Sequence, residues 1–292
     1  MSVDVTTAAG SALAGDTTGT PGDILRRLQS PGGSDSRDSD PRLARVAKRV
    51  GATVIAIVFV PTLWAALAAT GWLGPGFIGP AATVRTLSKQ WGIIWYNASP
   101  TLGAALFGAA VLLVITAAGT VLVSVTPRLT PWLVALSVVV GSLPLVTLTP
   151  ALSLFFDRGG ELITTVTILS GLVPVAATLA VVSRTSQAGR DEIGAVYATR
   201  PLRWFVRVGF WRSIPALDIG LRTMVPACFV GAIVAEWSGA AGDRGLGGLM
   251  ANALFSYQVS LLWATLLLAA MVAIGMLLTV AAVMEPLRRR VQ

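Results

Sequence analysis

Few residues in this chain of 292 could carry chemistry. Glu236 is the one acidic residue inside an otherwise apolar run. A carboxylate in such a run is costly and ordinarily faces other helices of a bundle. The alternative is a snorkelling, interfacial place, because Gly239 and Gly242 soon end the run. Pro144, Thr147, Thr149 and Pro150 form a second group. Prolines free backbone carbonyls, and a threonine hydroxyl can re-satisfy them or meet a polar solute. The segment is therefore either a broken helix lining a path or a kinked helix packed on its neighbours. Gly245, Gly247 and Gly248 permit a tight turn or a close helix approach.

Other chemistry is excluded by residue type. With no histidine, metal sites built on imidazole, Ser-His-Asp triads and histidine proton relays are impossible. Cys228 is the single cysteine; it can form no intrachain disulfide and reads as a small buried apolar residue. No metal site is expected. The two lysines, Lys48 and Lys89, follow Ala47 and Ser88. The Gly-Lys-Ser/Thr that cradles phosphates in a P-loop is absent, so this chain does not hydrolyse ATP that way, and no cofactor is expected in it.

The elements that must position these residues follow from composition. Hydrophobic residues make up 54% and charged residues 12%, with mean hydropathy +0.74, where a soluble domain carries about 25% charge. No Asp, Glu, Lys or Arg occurs between Arg49 and Arg85, Lys89 and Arg128, or Arg244 and Glu285. These blocks exceed the roughly 20 apolar residues a helix needs to cross a bilayer. The chain reads as an all-α membrane protein with about six transmembrane helices, near Val50–Thr70, Pro100–Val123, Pro131–Phe156, Leu162–Ser183, Ile219–Ser238 and Ser260–Met284. Residues 1–49 read as a disordered cytoplasmic tail, too polar to offset the entropy of ordering, and residues 50–292 as the transmembrane domain. The segment Thr83–Trp95 reads as an amphipathic interfacial helix with Trp91, Trp95 and Tyr96 at headgroup level.

The net charge of +8 fits membrane anchoring better than nucleic acid. The arginines cluster at the ends of apolar blocks, as the positive-inside rule describes, without the basic face interleaved with aromatics that single strands require. With both termini cytoplasmic, eighteen of the 22 basic residues fall on that side. The longest cytoplasmic segment, Arg184–Asp218, mixes arginines with Trp204, Phe205, Phe210 and Trp211. It reads as two short helices along the membrane face, the second opened by Pro201.

Here the sequence resembles the permease subunits of bacterial ABC importers. Their cytoplasmic loop carries Glu-Ala-Ala, three residues, Gly, then a basic and aromatic helix ending in Pro. The matching stretch runs from Glu192 through Tyr197, Ala198 and Arg200 to Arg203, Trp204, Phe205 and Pro215, with Ile193 and Gly194 in place of the alanine pair and Ala198 in place of the glycine. Pro144, Pro150 and Phe156 are similar to a proline pattern of the sulfonate, taurine and nitrate-type permeases, with Asp157 replacing a glycine. Ile78-Gly79-Pro80 and Thr101-Leu102 resemble the segment before their second span and its start. Gly231-Ala232-Ile233-Val234-Ala235-Glu236-Trp237, followed by Gly245-Leu246-Gly247, resembles their Val-Ala-Glu, gap, Gly-Leu-Gly. The resemblance covers about residues 72–291.

The resemblance implies a type I importer fold with a coupling-helix loop between spans 4 and 5. It implies a cytoplasmic ABC ATPase dimer carrying ATP-Mg, a second permease copy or paralogue, and an extracytoplasmic solute-binding protein as partners, in a bacterial cell membrane. Glu192, Tyr197, Ala198, Arg200, Arg203, Trp204, Phe205 and Pro215 would dock the ATPase. Pro144, Thr147, Thr149, Pro150, Glu236, Gly245 and Gly247 become candidates for the translocation path or gate, Glu236 as a gate or strut near the external mouth. The solute would be small and anionic or polar, of the sulfonate, nitrate or vitamin-precursor class. A stand-alone secondary transporter or channel is the alternative; it would normally need more intramembrane charge to couple ions.

Overall fold

A computed structural model describes residues 58–197, 201–240, 242 and 244–290, with side chains outside 189–202. The expected tail, residues 1–49, and the start of the first expected span lie outside the described residues. By contact the chain divides into Met1–Phe59 and Val60–Gln292, and apart from Val58 and Phe59, which open the first helix, everything that follows concerns the second unit.

All regular structure among the described residues is helical. A short apolar helix, α1 (Val58–Thr70), precedes α2 (Pro80–Lys89) and the long α3 (Trp91–Val125). A 3₁₀ turn at Pro127–Leu129 leads into α4 (Thr130–Ser142) and α5 (Leu145–Leu152). Next come α6 (Gly160–Tyr197), the single turn Pro201–Trp204 and α7 (Phe205–Ala240). The short α8 (Leu246–Phe255) and α9 (Val259–Arg289) complete the chain.

Helices α3, α6, α7 and α9 are long and apolar enough to cross a membrane, and the pair Pro127–Ser142 with Leu145–Leu152 makes a fifth span if its two arms count as one. Among the described residues that makes four or five spans; the first of the six expected, Val50–Thr70, begins outside them and only its part in α1 is described. The bent pair turns through 88°. Its corner is Leu143, held extended (φ −76°, ψ 125°) by the proline that follows it, since a residue before proline is pushed out of the α region.

Two expectations change. The interfacial helix Thr83–Trp95 is broken at Gln90 (φ −107°, ψ 19°), where the amphipathic pattern gives way to an apolar one, so Trp91, Trp95 and Tyr96 belong to the first turns of α3. The two short helices expected in Arg184–Asp218 are instead the ends of long ones. α6 runs unbroken for 38 residues, with no proline between Arg184 and Tyr197, and Pro201 opens the turn that enters α7.

The bundle centres on α3, α6 and α7. One buried cluster joins Ile94, Ala98 and Ala105 of α3 to Leu162 and Val166 of α6, Phe229 and Ala232 of α7, and Leu261 and Leu268 of α9. A second gathers Leu112, Leu179, Met224 and Cys228. Small residues let the axes approach: Ser170 of α6 donates to the Ala227 carbonyl of α7 at 2.9 Å, a common device between membrane helices. At one end of the bundle Ser124 bonds Ser186 at 3.0 Å, and Thr130 donates to Ser183 at 2.7 Å. At the other end the Gly159 amide donates to Ala240 O at 3.0 Å, and Trp263 stacks edge-on to Phe77. Trp132, Leu154, Phe155 and Phe255 stand largely exposed, an apolar exterior suited to lipid rather than water.

Candidate functional site

Glu236 lies where α7 ends. The α-helical body Phe210–Ala235 widens at Glu236–Ala240 and breaks at Gly239, whose φ of 98° suits glycine. The side chain turns inward and is 2% exposed. Thr101 of α3 donates its hydroxyl to the carboxylate, with Oε1 at 2.8 Å and Oε2 at 2.9 Å. The Gly247 amide donates to Oε2 at 2.8 Å. Thr101 Oγ1 accepts the Leu246 amide at 2.8 Å, and Asn97 Oδ1 accepts the Gly245 amide at 3.3 Å.

The first turn of α8 would otherwise present unpaired N–H groups. A carboxylate, a hydroxyl and a side-chain amide from two other helices take them instead. The negative group faces the helix N-terminus, where the helix dipole favours it. Glycine makes the approach possible. A methyl group at Gly247 would run into the Ile233 carbonyl and sit 2.9 Å from Glu236 Cβ; one at Gly245 would sit 2.7 Å from the Glu236 carboxyl carbon.

Beside this cluster opens a polar cleft of about 280 Å³, lined by Asn97, Glu236, Trp237, Arg244 and Asn252 and by glycine backbone. The Arg244 guanidinium lies 4.6 Å over the Tyr96 ring, a cation–π contact. The structure therefore brings together Glu236, Gly245 and Gly247 from the sequence candidates. It adds Thr101 and Asn97, both on α3.

Pro144, Thr147, Thr149 and Pro150 form the bend between α4 and α5 and its following turns. Their hydroxyls bond locally, Thr147 to Pro144 O at 2.9 Å and Thr149 to Leu145 O at 2.9 Å. Thr149 is buried and Thr147 exposed.

A charged pair escaped the sequence reading, which left Asp218 in the loop. Asp218 lies inside α7 and accepts two bonds from Arg222, at 2.7 and 3.0 Å. Aspartate four residues before arginine on one helix face was the available signal. Glu285 of α9 pairs with Arg289 at 3.0 Å and Arg288 at 3.4 Å. Among the described residues no group of three or more His, Cys, Asp or Glu could hold a metal.

No model of a known protein family matches the chain. Over 193 residues it is 28% identical to a probable ABC transporter permease protein of Haemophilus influenzae (strain ATCC 51907 / DSM 11121 / KW20 / Rd), a match covering 66% of this chain and 78% of that protein. The likeness supports an ABC-transporter permease.

For such a permease the segment joining α6 to α7 is the other place of interest. Glu192 and Tyr197 fall in the last turns of α6, with side chains outside the described set, and Ala198 and Arg200 lie outside the described residues. Arg203 is exposed. Trp204 and Phe205, expected to face a partner, are 4% and 5% exposed and pack against Gly209, with Phe205 edge-on to Phe210. The outward surface there is made by Arg203, Val206 and Arg207. Pro215 lies about two turns further along α7 and is exposed.

Proposed function

We propose that this chain is the permease subunit of an ATP-driven ABC importer and forms half of the translocation pore. The observation that carries the reading is the 28% identity over 193 residues to a probable ABC transporter permease protein. Four apolar helices of spanning length and an arginine-bearing turn between α6 and α7 support it. The finer reading is a type I importer of the sulfonate, taurine and nitrate kind, with six spans, taking a small anionic or polar solute from an extracytoplasmic binding protein. It rests on the proline pattern at Pro144 and Pro150 and on the Glu236 and Gly245-Leu246-Gly247 segments.

In this reading the end of the bundle holding Arg203, Arg207 and Arg288 faces the cytoplasm, as the positive-inside rule favours. A cytoplasmic ATPase pair docks on the α6–α7 turn, and a second permease copy or paralogue completes the pore. Rim arginines such as Arg203 and Arg207 steer docking. ATP binding then shifts the paired permeases between two states that make different contacts with the ATPases. Glu236 and α8 stand at the opposite, external end.

Copurification tests it. The tagged chain coexpressed with an importer ATPase should carry that ATPase through purification. Replacing Arg203 and Arg207 together by glutamate should lower recovery at least tenfold while membrane insertion is unchanged. Equal recovery would move the docking site elsewhere.

A further inference from the structure

We propose that Thr101 and Asn97 are the positioning residues of a latch that seats α8 on Glu236, and that this latch opens during transport. The second clause rests on the permease reading; the first does not.

The latch draws on three separate segments. Thr101 and Asn97 come from α3, Glu236 from the end of α7, and the amides of Gly245, Leu246 and Gly247 from the start of α8. Thr101 is its centre, because one hydroxyl serves both sides, accepting from Leu246 and donating to Glu236. Its oxygen is also 3.2 Å from the Asn97 carbonyl, a second acceptor for the same proton. Asn97 is oriented in turn by donating Nδ2 to Ile93 O at 2.9 Å, which aims Oδ1 at Gly245.

The segment so held is short and sharply jointed on both sides. Helix α8 has ten residues, and a left-handed residue stands on either side of it, Gly239 in the last turn of α7 (φ 98°) and Tyr257 between α8 and α9 (φ 56°). Positive φ at a bulky residue such as tyrosine is uncommon and marks a sharp joint between α8 and α9. The polar cleft reaches Glu236 from the side, giving water or solute a way to compete for the latch bonds once they loosen. Buried hydrogen bonds that close on one another hold a single arrangement firmly, and losing one partner exposes the rest.

Hydrogen–deuterium exchange on the full chain in lipid nanodiscs tests the latch. Thr101→Val keeps the side-chain shape and removes the hydroxyl. It should speed exchange across residues 245–252 at least tenfold and leave the middle of α3 and α6 unchanged, and Thr101→Ser should restore the wild-type rate. Unchanged exchange in Thr101→Val, or a rise spread evenly over all helices, would overturn the latch. The opening is tested on the wild-type chain assembled with its ATPase: ATP-Mg should speed exchange in 245–252 several-fold. A segment equally protected with and without ATP would make the cluster a static strut. If no ATPase assembles, the permease reading fails, and the Thr101→Val and Thr101→Ser results still decide the latch.

Discussion

The two ends of the bundle accommodate charge in opposite ways. Around Glu236 a carboxylate is buried with uncharged partners, one hydroxyl and backbone amides, from elements far apart in sequence. Around Asp218 and Glu285 each carboxylate has an arginine within one turn of its own helix, and Arg222, Arg288 and Arg289 keep 29%, 42% and 76% of their side chains exposed. The difference follows from desolvation. Glu285 is 36% exposed, and Asp218, though buried, pairs with an arginine that reaches water, so these pairs gain little and lose little. A buried carboxylate is tolerable only when every hydrogen bond it needs is already in place. The Glu236 end should therefore respond steeply to single changes and the arginine end weakly.

That contrast can be broken at several points. The largest effect is expected at Gly247→Val, whose side chain meets the Ile233 carbonyl and cannot be relieved by a rotamer change. Overpacking of this kind costs about 3 kcal/mol, read as lowered thermal stability in detergent. Glu236→Ala should follow, at about 2 kcal/mol for amides and a hydroxyl left without their acceptor. Glu236→Gln should lose less than half of that, because an amide oxygen still accepts from Gly247 while the Thr101 proton turns to the Asn97 carbonyl. Equal losses for Ala and Gln would show that packing, not hydrogen bonding, holds α8.

At the other end, a double-mutant cycle on Asp218 and Arg222 should give a coupling near 1 kcal/mol, since one partner is partly open to solvent. Glu285→Ala should change stability by about 0.5 kcal/mol or less. Raising salt to 1 M should shrink the Glu285 effect, where screening acts over about 3 Å, and leave the Glu236 effect unchanged. A salt-sensitive Glu236 would contradict its isolation from solvent.

The sequence made some of this legible and hid the rest for physical reasons. Glu236 stood out because a carboxylate in an apolar run is rare, and Gly245 and Gly247 because consecutive small residues allow close approach. Thr101 did not, because it lies 135 residues from Glu236 and a threonine in a membrane helix ordinarily bonds its own backbone. The bend at Leu143 was foreshadowed by Pro144; its angle depends on packing. Trp204 and Phe205 stood out as aromatic residues of the loop, but the sequence did not show that they turn inward. The wider turn at Phe205–Gly209 departs from the helical repeat on which a reading of faces relies. The helix ends of α6 and α7 were missed because charged residues that signal a loop in composition extend a helix past the bilayer just as well.

The central claim is that this chain transports only with an ATPase acting on it. The direct measurement is solute uptake into liposomes holding the full chain, alone and then reconstituted with an importer ATPase and solute-binding protein, with labelled taurine and nitrate as probe solutes. The account predicts no uptake by the chain alone and ATP-dependent uptake by the assembly. Uptake by the chain alone, driven by a proton or sodium gradient and indifferent to ATP, would contradict it and establish a secondary transporter instead.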